Sequence, residues 1–226
     1  KTKLFNRLLV TAPNENGCLI FINNNQEFYN DNETSTGMYY EKNIFTRGVQ
    51  TPSEFYSILT NKFSVHESID DIHSITYFKK HFYVVITEFN KILKFNLKGK
   101  VVKSWKFPGE NDSWHINSIC HFKGRILFSA FCDFKKTRAY KKESKKTGFV
   151  QDLSSGEKII KGLSQPHSLV AHEEDLILAD SEDLSIKVFD RNYKLKKNVH
   201  FGQYTRGILI NNDAIYIGLS ASRNKI

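Results

Sequence analysis

Apolar and polar residues alternate along this chain in short bursts, and the bursts are strand-sized. Examples are "RLLVTA", "CLIFINN", "HFYVVIT", "KILKFNL", "VVKSWKF", "RILFSAF", "LILAD", "SIKVFD" and "AIYIGLS". Each is rich in Val, Ile, Leu or Phe and is bounded by Gly, Asn, Asp or Lys-Gly, residues that favour turns. No segment keeps a helical apolar period over several turns. "PSEFYSILTNKF" comes nearest, with Phe55, Ile58, Leu59 and Phe63. Its "EFYSILT" core is nevertheless predicted as strand, because the repeat described next requires it.

Several bursts fall into a recurring order. "IHSITYFKKHFYVVITEFNKILKFNLKGKVVKSWKF" reads as a polar anchor followed by four strands, and "PHSLVAHEEDLILADSEDLSIKVFDRNYKLKKNVHF" follows the same course. "HINSICHFKGRILFSAFCDF" begins in the same way and resumes at "GFVQDLSSGEKIIKG" after a basic insertion. "TRGILINNDAIYIGLS" begins it again, and "FTRGVQTPSEFYSILT" is a further candidate copy. The anchors are Arg47, His73, His115, His167 and Arg206. A four-strand unit recurring at about 40–45 residues is the signature of a β-propeller. The predicted fold is therefore all-β. It is a single propeller domain over residues 1–226, with four-stranded antiparallel blades around a central channel. Five blades are expected, with six as the alternative. The N-terminal strands are expected to complete the last blade.

Composition narrows the setting. Of 226 residues, 40% are apolar and 25% charged, which suits a globular domain. No apolar run is long enough to span a bilayer as a helix. The three cysteines, Cys18, Cys120 and Cys132, match no zinc or redox spacing. Buried free thiols in a reducing cytoplasm are the expectation. Net charge is +9. Much of it sits in "FKKTRAYKKESKKTG", residues 134–148, with seven Lys or Arg and one acid, Glu143. This insertion is predicted as a solvated loop, with an anion-binding patch as the alternative. Nucleic acid is not an expected partner, because no stacking array or recognition motif accompanies the charge.

In a propeller the inner strands line the channel, so residues at their starts converge at one mouth. His73, His115, His167, Arg206 and Arg47 are candidate ligand-binding residues on that ground, with Trp114 and Tyr204 as neighbouring aromatic faces. Donors and flat faces of this kind suit a small polar or anionic ligand, including a sugar. Three imidazoles also offer a candidate site for a divalent metal such as zinc, with one coordination position left open. The structural alternative is that each His-Ser pair locks strands through buried hydrogen bonds. Asp71 would then partner His73, and Asp180 would partner His167. No Gly-x-Ser-x-Gly elbow and no phosphate loop is present.

"PHSLVAHEEDLILADSEDLSIKVFD" resembles NHL-type propeller repeats, which place Pro-His before the inner strand and end in a similar way. Peptidylamidoglycolate lyase belongs to that type and holds zinc through channel histidines; the short "PHSL" match implies a related site. A longer resemblance rests on "DIHSI", "HINSI", "SSGEKIIKGLSQPHS" and "YTRGILINNDAIYIGLSASR" in that order. It identifies the chain with an uncharacterised bacterial propeller-like family, the domain of unknown function 4915 family, and implies no activity. Three functions follow as expectations. The first is ligand binding at the channel mouth. The second is a metal-dependent lyase, hydrolase or epimerase using the channel histidines. The third is a protein-interaction scaffold.

Overall fold

The computed structural model describes residues 7–12, 18–23, 35–41, 44–49, 55–57, 61–63, 71–211 and 214–221. Before residue 71, side chains are described only for residues 37–39. Every described element but one is a strand. The exception is a single 3-10 turn, Ala139–Lys141.

The chain opens with an antiparallel pair, β1 (Arg7–Ala12) and β2 (Cys18–Asn23). Four-stranded sheets follow in up-and-down order. The first contains β3 (Ser35–Glu41), β4 (Ile44–Val49), β5 (Phe55–Ser57) and β6 (Asn61–Phe63). The second contains β7 (Ile72–Phe78), β8 (His81–Ile86), β9 (Lys91–Asn96) and β10 (Val101–Lys106). The third contains β11 (Ile116–Phe122), β12 (Arg125–Ala130), β13 (Gly148–Asp152) and β14 (Lys158–Leu163). The fourth contains β15 (Pro166–His172), β16 (Asp175–Asp180), β17 (Ser185–Phe189) and β18 (Leu195–His200). A final pair, β19 (Tyr204–Asn211) and β20 (Ala214–Ser220), ends the described chain. The expected strand over "EFYSILT" is found at Phe55–Ser57, and a separate short strand begins at Asn61.

By internal packing the chain forms two units, residues 1–86 with 92–104, and residues 87–91 with 105–226. In the first unit β3 lies against β7. Tyr39 meets Tyr77 and Phe82 there, with ring centroids 6.0 and 6.5 Å apart. In the second unit β11 lies against β15, and β15 against β19. Between the third and fourth sheets Leu127, Val150, Leu163, Leu169, Leu176 and Leu178 form a continuous apolar layer. Each fully buried aliphatic side chain of this kind contributes about 1.5–3 kcal/mol. The outermost strand β18 is exposed throughout, which explains its polar sequence "LKKNVH".

The first hairpin of each sheet reveals the true register of the repeat. Two-residue turns follow Phe78, Phe122 and His172, and in the other two hairpins Glu41 pairs with Ile44 and Asn211 with Ala214. At Lys79–Lys80 and Lys123–Gly124 both turn residues have positive φ, the geometry that matches strand twist. Near the start of the first strand of each hairpin a bulge interrupts the ladder. It falls between Ser35 and Met38, Ile72 and Ser74, Ile116 and Ser118, His167 and Leu169, and Thr205 and Ile208. Counted by the same distance from the turn, the equivalent residues are Thr36, His73, Asn117, His167 and Arg206; His167 itself pairs with Ala179, and Ser168 beside it is the residue passed over. Two sequence anchors are corrected by this register. His115 lies two residues before the equivalent position, which Asn117 holds. Arg47 stands on β4, opposite Met38, on the second strand of its sheet rather than the first.

Candidate functional site

The residues that follow β8 and β16 each clamp onto the next sheet. Thr87 follows β8, and its hydroxyl donates to the Ile116 carbonyl at 2.6 Å. Ser181 follows β16, and its hydroxyl donates to the Thr205 carbonyl. The equivalent residue after β12 is Phe131, which has no hydroxyl. Phe131 instead packs its ring between two histidines, with centroids 4.3 Å from His115 and 5.1 Å from His167. One break in the repeat thus creates an aromatic bridge where the second and fourth sheets have a clamp.

His115 is placed by the loop before β11. Asn90 organises this loop, donating to the Glu110 carbonyl at 2.7 Å and the Ser113 hydroxyl at 2.9 Å, and accepting from the Trp114 amide at 3.1 Å. Asp112 and His115 both adopt positive φ, 49° and 47°. Such backbone costs of order 1 kcal/mol for a non-glycine residue and persists only where the surroundings enforce it. The result is an Asp112–His115 pair, Oδ1 to Nδ1 at 2.7 Å. The other Asp112 oxygen accepts from Arg138 Nε at 2.7 Å and from the Tyr140 hydroxyl at 2.9 Å. Burial alone would raise the Asp112 carboxyl; the bonds from His115, Arg138 and Tyr140 outweigh it and hold the group below the usual carboxylate value. Tyr140 also stacks on His115, with centroids 4.6 Å apart.

Arg138 and Tyr140 belong to the basic insertion, so the loop expected to be solvated is braced. Ser144 and Tyr140 are buried. The Ser144 hydroxyl donates to Glu182 at 2.5 Å and accepts from Gln165 Nε2 at 2.7 Å. The Thr147 hydroxyl reaches the Phe131 carbonyl at 2.8 Å. The lysines between these anchors remain on the surface.

His167 sits in the same layer. Its Nδ1 lies 2.9 Å from the Gln165 carbonyl and 2.7 Å from the Ser181 hydroxyl. Its Nε2 lies 2.9 Å from Arg206 Nη1. The expected Asp180 partner is not used; Asp180 accepts from the Ser164 amide and the Lys187 ammonium instead. The Arg206 guanidinium covers the Tyr204 ring at 4.6 Å, and the Tyr204 hydroxyl donates to Gln165 Oε1. In the first unit His73 does have its expected partner, with Nε2 2.9 Å from Asp71 Oδ1.

Of the residues singled out in the sequence, His115 and His167 flank Phe131, and Tyr204 and Arg206 lie against His167. Trp114 is not among them. It is buried against Phe107 and Phe149, at 5.0 and 5.7 Å, with its indole N–H unpartnered among the described residues. Asp112, Phe131, Tyr140 and Gln165 were missed. The one available signal was the spacing of Asp112 and His115, three residues apart ahead of a strand. No group of three or more His, Cys, Asp or Glu side chains among the described residues is arranged to hold a metal ion. At His167 the atom a metal would take faces a guanidinium. The expected zinc site draws no support from this arrangement.

The family described as Domain of unknown function (DUF4915) matches residues 15–226. The chain belongs to this family. No curated protein matches the sequence. Among solved structures, a Nidogen/Laminin complex superposes with a TM-score of 0.68 at 10% identity, covering 94% of this chain and 85% of that one. A catalytically inactive histidine-to-alanine variant of virginiamycin B lyase from Staphylococcus aureus, with quinupristin, gives 0.62 at 14% identity, covering 91% and 71%. A streptogramin B lyase gives 0.58 at 12%, covering 92% and 70%. At these identities the likeness concerns the fold alone, and the DUF4915 chain is propeller-like. Among its described residues no helix is long and apolar enough to cross a membrane.

Proposed function

We propose that this protein binds a small polar, anionic or carbohydrate-like ligand beside Arg206, His167 and His115. One observation carries the reading: a guanidinium, two imidazoles and the rings of Tyr204, Phe131 and Tyr140 form one contiguous layer. Such a set pairs charge-assisted donors with flat faces for the C–H side of a sugar. In this reading the four-stranded sheets are propeller blades. Cys120 and Cys132, both free and buried, support a reducing, cytoplasmic setting.

The Asp112–His115 pair favours a second reading, acid–base chemistry on the bound ligand. Its geometry is that of an imidazole oriented by a carboxylate for proton transfer at Nε2. The class would be a lyase or epimerase acting next to a carbonyl or carboxylate.

Calorimetric titration with neutral and acidic saccharides tests both readings. Arg206→Ala and His115→Ala should each abolish binding while the chain stays folded. If both variants simply unfold, the cluster is structural and the site is lost. His115→Gln that binds but no longer turns ligand over would select the second reading. Purified protein carrying about one metal ion per chain, lost in the histidine variants, would replace both with metal catalysis.

A further inference from the structure

Apart from the ligand cluster, the insertion carries a surface feature that no part of that cluster uses. Lys135, Lys136, Lys141, Lys142, Lys145 and Lys146 are all exposed. The one arginine of the run, Arg138, is committed to Asp112 through its Nε. The acids around the insertion already have partners. Glu110 holds Lys136 and Thr137, Asp133 holds Lys158, and Glu182 accepts from Ser144. Only Glu143 remains as an acid within the run. Because the backbone is pinned at Arg138, Tyr140, Ser144 and Thr147, these lysines are displayed on a braced surface.

On that surface lies a shallow, open depression of about 520 Å³, with Phe134 and Ala139 in its lining and Asp133, Lys135, Lys136, Lys142 and Glu143 around them. Three features of the lining restrict the occupant. The apolar patch suits a C–H face. The ammonium groups suit point-like anions, because lysine lacks the planar fork that arginine offers. Glu143 is an acceptor, which suits hydroxyl groups and repels a bare polyphosphate. Tyr140 is buried, so no aromatic platform is presented on which successive bases could stack.

We propose that this depression is a second binding site, for an acidic saccharide whose carboxylates meet Lys135 and Lys142 and whose ring lies on Phe134. It stands independently of the cluster at Arg206.

The test is an NMR titration of the whole chain with trigalacturonic acid, with neutral trigalactose, tripolyphosphate and a short single-stranded oligonucleotide as comparisons. The expected result is saturable shifts at the Phe134 and Ala139 amides with trigalacturonic acid alone. In Lys135→Glu/Lys142→Glu the affinity should fall about tenfold or more, while Arg206→Ala leaves these shifts unchanged. Both lysines join the bracing bonds only through backbone atoms, which the substitutions keep, and Lys142→Gln offers a milder variant with a smaller loss. Equal binding by tripolyphosphate or the oligonucleotide would overturn the proposal in favour of unselective charge. Shifts that map elsewhere, or an affinity untouched by the lysine variants, would overturn it outright.

Discussion

Arg206 Nη1 lies 2.9 Å from His167 Nε2, and that contact fixes the tautomer of the imidazole. A guanidinium nitrogen only donates, so Nε2 must be the bare, accepting nitrogen. The proton then sits on Nδ1, between the Gln165 carbonyl and the Ser181 hydroxyl. Ser181 passes its own proton to the Thr205 carbonyl, so its oxygen is able to accept. Nitrogen-correlated NMR of the imidazole should show a protonated Nδ1 and a bare Nε2. In Arg206→Leu the second tautomer should become populated while the fold remains. A spectrum with the proton on Nε2 in the wild type would rule this arrangement out.

Asp112 is the hub of the insertion. Its carboxylate is 2% exposed and accepts from His115, Arg138 and Tyr140. Asp112→Ala leaves three donors facing a void, and breaking a buried charged network costs about 3–5 kcal/mol. Chemical denaturation should show that loss. Limited proteolysis should show new cleavage among the lysines of residues 134–148. Stability unchanged within about 0.5 kcal/mol would mean that the insertion is held elsewhere.

The same bonds set a direction for pH. The folded Asp112 carboxyl lies below its ordinary value of 3.8, and Glu110, bound by the Thr137 amide and Lys136, is lowered to about 2. A carboxyl depressed by folding stabilises the native state fully above its unfolded value, and that stabilisation is lost as pH falls through the folded one. The insertion should therefore stay closed from neutral pH down to about 4 and loosen only below that. Amide hydrogen exchange at Tyr140 and Thr147 would follow the change. Loosening near pH 6 would instead implicate the histidines.

The sheet-forming pattern was legible because its cause is local. Alternating apolar residues and two-residue turns act within a few positions, so every burst quoted from the sequence falls on a strand. Register was less legible. "WHINSICHF" offers both His115 and Asn117 as anchors, and only the bulge between Ile116 and Ser118 selects Asn117. In the first sheet the threonine of "TSTG" holds the place given to Arg47, because a small polar residue carries no visible signal. The serines after His73 and His167 were read as partners that lock the strands of their own sheet. Ser118, a serine not singled out, accepts the Leu169 amide of the next sheet at 2.8 Å, a contact 51 residues away that no local pattern encodes. The aromatic bridge at Phe131 was hidden for the opposite reason. A phenylalanine ending a strand reads as core, and its meaning lies in replacing the hydroxyl that Thr87 and Ser181 carry.

Gly148 links the insertion to the histidine layer and gives the sharpest packing test. It begins β13 where the insertion ends, beside Pro166, the residue that precedes His167. A methyl group added there would lie 2.6 Å from Pro166 Cδ and 2.9 Å from the Leu163 carbonyl oxygen. Neither can give way easily, since one belongs to a ring and the other to backbone. Gly148→Ala should therefore destabilise by about 1–3 kcal/mol, the usual cost of overpacking. Relief of the clash requires β15 to shift at Pro166, which displaces His167 from Arg206. Ligand affinity should fall together with Tm, and the imidazole signals of His167 should move. A Tm loss with unchanged His167 signals would show that the strain is absorbed at Leu163, leaving the site mechanically independent of the insertion.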